Sequence, residues 1–547
     1  MAKKLIYIIA IIVYANINYL YSQNSYLPLS NSSNFYYEDV IYNEIDNFHT
    51  SIKPYFAREI TFKSRIDSLL ITKNNSYFFN SHLIKTESDN FNFNINPIIN
   101  SIYSVGAYRN SLFSSGIAIN SDIGKKISLN FNYFLNATQL NYNIPNIIGN
   151  SSIIPHFGKC FDYYKGFNLY NSFSGYISYS PAEYIYFQAG KDKNFFGDGY
   201  RSLLLSDNSN TMPFVKASVN IWKIKYIVLY QIMKDINSDY NNYTFESLYS
   251  YVYPYDVVYN TNLESKYATS HYLSWNLNKH INLNLFETVI WRGSDSLGLR
   301  GYDINYLNPI IFFRPVEFSL GSPDNVIMGG GGKIKIAKKH HLYGQFILDE
   351  FKLAEIKAKS GWWGNKYGLQ CGIRSFDLFK IKGLYLQAEF NYVRPFTYSH
   401  GNSLENHGHY FQSNAHPLGA NFEELLFIAK YRKNRSVFSL KTIFVQYGMD
   451  RDSVNVGQNI YRSYNDHRNE YGNYILQGSL VKNIIAEIKY SYLINPKWNL
   501  QFEAGLLFNR RVFEPRMTCI CLDYGIRNYM NIFAGFKTNL FNYDIDY

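Results

Sequence analysis

The chain has 547 residues, 46% hydrophobic and 18% aromatic, with four cysteines and a formal charge of +11, and its mean hydropathy is −0.25. Apolar residues this abundant at so low a hydropathy must be dispersed among polar ones, which favours strands with one apolar face. No run of about 18 to 20 uncharged apolar residues occurs, so helical membrane spans are excluded, and no Lys/Arg block with interleaved aromatics marks a nucleic-acid partner.

Residues 1–22 read as a signal peptide: Lys3 and Lys4 form a basic start, Leu5 to Ala15 an apolar stretch, and Leu20-Tyr21-Ser22 a cleavage site before Gln23. Removing its two lysines leaves 51 Lys and Arg against 42 Asp and Glu, or +9. That balance suits anionic lipid and acidic polysaccharide equally and selects neither. From Gln23 to Asn96 the pattern is irregular, with a helix expected around Tyr37 to Phe48 and a polar, partly acidic stretch from Thr86 to Asn90. Residues 23–96 are therefore read as an N-terminal periplasmic region and 97–547 as a transmembrane β-barrel.

Period-two alternation then takes over. Ile127, Leu129 and Phe131 alternate with Ser128, Asn130 and Asn132, which places one set on each face of a strand. Leu384, Leu386, Ala388, Phe390 and Tyr392 alternate with Gln387, Glu389 and Asn391. Ile484, Ala486, Ile488, Tyr490 and Tyr492 alternate with Glu487, Lys489 and Ser491, and a turn at Asn495-Pro496-Lys497 leads to Trp498, Leu500, Phe502, Ala504, Leu506 and Phe508. Alternation alone suits a soluble sandwich as well, but these strands reach the about 9 to 11 residues needed to cross a bilayer at a tilt. Short turns such as Asn278-Lys279-His280 contrast with long polar connections such as Ser399 to Pro417 and Gly448 to Gly472, as in outer-membrane barrels. Phe541, Tyr543, Ile545 and Tyr547 alternate with Asn542, Asp544 and Asp546. They are expected to form the strand that closes the barrel and to serve as its assembly signal.

Chemistry-bearing motifs are sparse. Cys160, Cys371, Cys519 and Cys521 are too few and scattered for a disulfide framework, and Cys519 and Cys521 have too few neighbouring ligands for a metal. Gly329 to Lys333 resembles a phosphate loop but lacks the earlier glycine and has Ile334 where Ser or Thr would hold magnesium, so a flexible turn entering a strand is expected. His400, His407, His409 and His416 could ligate a metal or decorate a solvated loop. Asp349 and Glu350, being adjacent, face opposite sides of a strand unless a bulge brings them together. No catalytic, metal or cofactor residues are assigned. In Gly190 to Lys216, Asp192, Lys193, Asp198 and Arg201 either form an interior ion-pair network or present a sugar-binding surface. Tyr398, His409, Tyr410 and Tyr464 are glycan-contact candidates by loop position.

The block from Gly190 resembles the signature of the Wzi-type capsule-assembly family, and especially its Bacteroidetes branch of RemB-like gliding-motility proteins. So do GYDINYLNPIIFFRPVEF from Gly301, GSPDN from Gly321, LDEF from Leu348, GWWGNKYG from Gly361, RPFTYSH from Arg394, AHPLGANFEE from Ala415 and HTSIKPY from His49. The Wzi pattern carries Trp-Gly-Pro-Gly where this chain has Phe196-Gly197-Asp198-Gly199. The resemblance implies an all-β outer-membrane barrel of about 18 strands with a small, partly helical periplasmic region. It also implies a Gram-negative, Bacteroidetes-type outer membrane, with membrane lipid, the barrel-assembly machinery and surface polysaccharide or a gliding apparatus as partners. The function expected is non-enzymatic, in gliding, adhesion or capsular polysaccharide attachment. A passive porin and a barrel hydrolase are the alternatives.

Overall fold

The computed structural model describes residues 25–60, 63–71, 77–107, 111–139, 153–164, 166–236, 263–295, 298–311, 324–450, 454–514 and 526–547. The signal-peptide reading, Cys519, Cys521 and residues 312–323 of the family-like blocks fall outside them.

Eighteen antiparallel strands close into one barrel. The first six are β1 (Phe91–Gly106), β2 (Ser111–Ile123), β3 (Ile127–Gln139), β4 (Phe167–Ala182), β5 (Ile185–Asp192) and β6 (Met212–Ile221). Next come β7 (Ile224–Ile236), β8 (Leu263–Asn276), β9 (Ile281–Arg292), β10 (Asn325–Ala337), β11 (His340–Glu350) and β12 (Lys366–Phe376). The last are β13 (Leu384–Val393), β14 (Phe422–Lys433), β15 (Ser436–Met449), β16 (Ser479–Asn495), β17 (Leu500–Glu514) and β18 (Ile526–Thr538). Each pairs with its sequence neighbour, and β18 pairs with β1 in the register Gly535↔Ile102, so the barrel has no open edge.

The faces are inverted relative to a soluble barrel. On β3, Phe131, Tyr133 and Leu135 are exposed on the outer wall while Ser128, Asn132 and Asn136 are buried inside. On β18, Met530, Ile532 and Phe536 face out and Asn531 and Lys537 face in. Apolar groups outside and polar groups inside are stable only where the surroundings are hydrocarbon. That settles the ambiguity which alternation leaves open. In the predicted hairpin, Trp498 belongs to the turn, where it is buried against Phe78 at 5.2 Å.

The short turns gather at one mouth and the long connections at the other. The N-terminal region lies across the short-turn mouth, held by bonds from Asn276 to the Asn47 carbonyl and from Arg435 to the Leu70 carbonyl. Its helix α1 spans Asn31–Asn43, earlier than the periodicity suggests, because the Ser30 hydroxyl accepts from the Ser33 amide and starts the first turn. Thr86 to Asn90 is not irregular: Ile84–Ser88 forms a short strand paired with the start of β1, and β1 itself begins at Phe91, before the expected residue 97.

The lumen is filled from several directions. Residues 193–211 fold inward from the long-loop mouth and place Leu203 and Leu204, both 0% exposed, in an apolar core with Ile227, Phe286, Ile327 and Ile347. Residues 394–421 pack on them, with Tyr398 donating to the Leu203 carbonyl at 2.8 Å and His407 bonded to the Leu204 carbonyl at 2.9 Å. Gly329 to Gly332 is no turn but the middle of β10. Gly329 faces this core, where an added Cβ would lie 2.7 Å from Leu204 Cδ2. The glycine is a window for the inserted loop.

The terminal segment also departs from expectation. β18 closes the barrel, whereas Phe541 to Tyr547 turn into the lumen with a single bridge from Phe541 to Leu29. The alternation is real, but Asp544 and Asp546 are drawn to interior cations: Asp546 pairs with Arg201 at 2.9 Å and with Lys441 at 2.7 Å.

Candidate functional site

Two constellations stand out, one buried in the lumen and one open at the long-loop mouth. The buried one centres on Arg201, whose guanidinium pairs with Glu424 at 3.1 Å and Asp546 at 2.9 Å. Glu424 also meets His416 at 2.8 Å and Asn391 at 2.9 Å. Glu389 accepts from the amides of Tyr200 and Arg201 at 2.8 and 3.1 Å, so one carboxylate from β13 anchors the backbone of the inserted loop. Burial disfavours the Arg201 charge, but Asp546 and Glu424 outweigh it and hold the group cationic. These groups satisfy one another completely enough to act as a strut.

The open constellation is a cavity of about 510 Å³, within the size range of small-molecule sites. Asp349 and Glu350 lie on its wall, and a register shift between Leu348 and Glu350 turns both toward Lys366, at 3.1 and 3.2 Å. The bulge thus pairs two adjacent carboxylates through one buried ammonium. Lys366 also donates to the Ser399 carbonyl at 3.1 Å and sits 4.6 Å from the centre of the Tyr464 ring. Opposite, Glu405 meets Arg292 at 3.2 Å and His400 at 2.9 Å. Asp324 accepts a two-pronged contact from Arg300 at 2.6 and 2.8 Å and a hydroxyl from Tyr306 at 2.6 Å. Asn325, Asn402 and Asn465 complete the wall. Tyr464 is backed by Trp363 at 4.8 Å, and Trp363 stacks on His467 at 4.6 Å. Ser463 donates to the Gly401 carbonyl at 2.7 Å and ties the two loops that form the rim. Aromatic, amide and carboxylate groups around an open hollow can hold a polyhydroxylated ligand by ring packing and hydrogen bonds.

No protein-family model and no curated protein matches the chain. Among solved structures, the chain is similar to one described as Wzi, an outer-membrane protein involved in group 1 capsule assembly in Escherichia coli and a carbohydrate-binding β-barrel. The TM-score is 0.54 and the identity 10%, over 94% of this chain and 99% of that one. This chain has a Wzi-like outer-membrane barrel fold. OprD from Pseudomonas aeruginosa matches with a TM-score of 0.39 and 9% identity over 81% of this chain and 94% of that one. OccAB3 from Acinetobacter baumannii matches at 0.40 and 9%, over 81% and 98%.

Within this Wzi-like barrel the four charged residues expected to form one network are all interior but do not bind one another as a set. Arg201 serves the Glu424 and Asp546 knot. Asp198 accepts from Thr50 at 2.6 Å and Tyr42 at 2.9 Å. Burial would raise its pKa, but Lys333, Thr50 and Arg374 outweigh burial and hold the carboxyl below its usual range. Lys193 donates to the His156 and Asp207 carbonyls at 2.9 and 3.0 Å, and burial pushes its pKa down to about 8. Asp192 accepts from the Lys193 amide at 2.8 Å. The reason is spacing: the loop carries each group to a different wall.

Of the glycan-contact candidates, only Tyr464 lines the open cavity. Tyr398 and His409 are buried because their loop folds into the barrel instead of projecting from it, and Tyr410 packs edge-on against His409 at 4.7 Å. The four histidines are dispersed: His409 accepts from the Lys234 amide at 3.0 Å, and His400, His407 and His416 hold the separate partners already named. Cys160 donates its thiol to the Leu169 carbonyl at 3.2 Å, and Cys371 is a free thiol. Arg292, Asp324, Lys366, Trp363 and Glu405 had no role in the sequence reading. Yet Asp324, Asp349, Trp363, Lys366 and His400 lie in the blocks GSPDN, LDEF, GWWGNKYG and RPFTYSH, so the signal was present without its geometry.

Proposed function

We propose that this protein is a non-enzymatic outer-membrane barrel that holds surface polysaccharide at its long-loop mouth, in capsular attachment or in the adhesion that gliding requires. The open cavity carries this reading: it joins Tyr464, three asparagines and four carboxylates in a hollow at the long-loop ends of the strands. Outer-membrane lipid would surround the apolar wall, and the barrel-assembly machinery would insert it, with residues 23–96 in the periplasm and the aromatic residues Phe541 to Tyr547 contributing to its recognition. The likeness of the fold to a carbohydrate-binding barrel agrees with this reading, and the RemB-like blocks favour the gliding branch.

A passive porin is disfavoured because residues 193–211 and 394–421 and the N-terminal region occupy the lumen. A hydrolase is disfavoured because Asp349 and Glu350 are both paired with Lys366, at 3.1 and 3.2 Å, and so form one ion-paired cluster in place of a separate acid and base. The test is retention of the source bacterium's own surface polysaccharide by the purified, immobilised protein. Retention that is lost in Tyr464→Ala supports the function, and failure to retain any polysaccharide overturns it.

A further inference from the structure

We propose that the open cavity selects sugar units without an acidic group, holding an amino sugar tightest and turning away uronic acids. The inference rests on the reading of the protein as a polysaccharide holder and names the chemistry its site accepts. Charge balance supplies the first argument. Among the described residues, Asp303, Asp324, Asp349, Glu350 and Glu405 are five carboxylates in and behind the wall, and Arg292, Arg300 and Lys366 are the three permanent cations salt-bridged to them. The difference is two negative charges, which a protonated His400 would reduce to one. Each of these cations already has a carboxylate within salt-bridge distance: Arg292 has Glu405, Arg300 has Asp303 and Asp324, and Lys366 has Asp349 and Glu350. A uronate entering the cavity would have to displace one of these partners.

Hydrogen-bond polarity supplies the second. Asp349 is almost wholly buried, its Oδ2 accepts from the Tyr398 amide at 2.8 Å, and its Oδ1 faces the Lys366 ammonium at 3.1 Å. Ionised carboxylates only accept, so the wall calls for donors. Sugar hydroxyls donate, and the ammonium of an amino sugar donates while cancelling charge. A uronate carboxylate brings acceptors and a like charge to a partly enclosed site, where such repulsion builds specificity against it.

The full-length protein in detergent micelles is titrated calorimetrically with three disaccharides of similar size: diglucosamine, diacetylchitobiose and digalacturonate. Diglucosamine should bind tightest and digalacturonate weakest, with a spread of at least about tenfold at low salt that narrows as salt screens the charges. Glu350→Gln should weaken diglucosamine several-fold and leave diacetylchitobiose nearly unchanged, whereas Tyr464→Ala should weaken all three without changing their order. Digalacturonate binding as tightly as diglucosamine, or an order indifferent to both salt and Glu350→Gln, overturns the proposal. Native polysaccharide retained by a protein with the reverse order sinks this selectivity and leaves the holding function. An intact order without retention does the opposite.

Discussion

Arg201 shows what a single side chain carries in this barrel. Replacing it by Met would leave Glu424 and Asp546 buried without their shared cation, and removing one partner of a buried ionic group costs about 3 to 5 kcal/mol. Arg201→Met should therefore lower the temperature at which the folded band converts on unheated electrophoresis gels, and Arg201→Lys should recover only part of the loss because ammonium cannot span both carboxylates in the same way. The buried histidines give a pH signature of a different kind. Burial depresses His407 to about 4 and His409 to about 3, while in the unfolded chain both titrate near about 6.5. The unfolded state thus binds more protons between those values, so stability is complete above about pH 6.5 and falls with acidification toward pH 4, by about 1.4 kcal/mol per unit for each such group. Asp544, held low by Lys441, begins to lose its contribution only below about pH 3.9, so the two windows separate. Melting measured from pH 7.5 to 4.5 should show the decline, and His407→Asn should flatten it. An unchanged slope in that variant would remove His407 from the account.

Among the elements, the inserted loop and the strand it leans on act as one unit. Leu204 is fully buried, so Leu204→Ala should cost about 2 to 5 kcal/mol by opening a cavity that the barrel wall cannot collapse to fill. Gly329→Val tests the same contact from the strand side, because its side chain would occupy the position of Leu204 Cδ2. Both should destabilise the barrel in denaturant titrations, and the double variant should cost less than the sum because one contact is lost in each. The strands themselves were legible from sequence: the alternation around Ile127, Leu384 and Ile484 separated the apolar from the polar face correctly, since a period of two is a local property. What alternation does not encode is which medium each face meets. Phe541 to Tyr547 carry the same pattern as β18 and leave the wall because Arg201 and Lys441, far away in sequence, offer their aspartates a partner. The glycine run failed for a related reason: it signals close approach, and what approaches is a loop more than a hundred residues earlier. The bulge at Asp349 and Glu350 lay beyond reach as well, since only the register against β12 reveals it.

At the scale of the whole molecule, the question is whether the barrel is a passage. A wall of 18 strands encloses an aqueous channel when nothing fills it. Here the lumen contains an apolar core around Leu203 and Leu204, the Arg201 knot beside it and α1 with its following residues across the short-turn mouth. The inserts come from separate parts of the chain, namely the N-terminal region, residues 193–211, residues 394–421 and Phe541 to Tyr547, so opening a pore would mean breaking a core, not swinging one gate. Inserted into planar bilayers, the protein should therefore pass little current under moderate voltage. Replacing residues 198–208 by a short glycine-serine linker removes the leucines, Arg201 and the amides that Glu389 binds. If that variant folds, as judged by its gel shift, it should conduct in discrete steps well above the intact protein. High, steady conductance by the unaltered protein would contradict the filled lumen and revive the porin reading, whereas conductance confined to the linker variant would show that the inserts, not the width of the wall, decide what this barrel does.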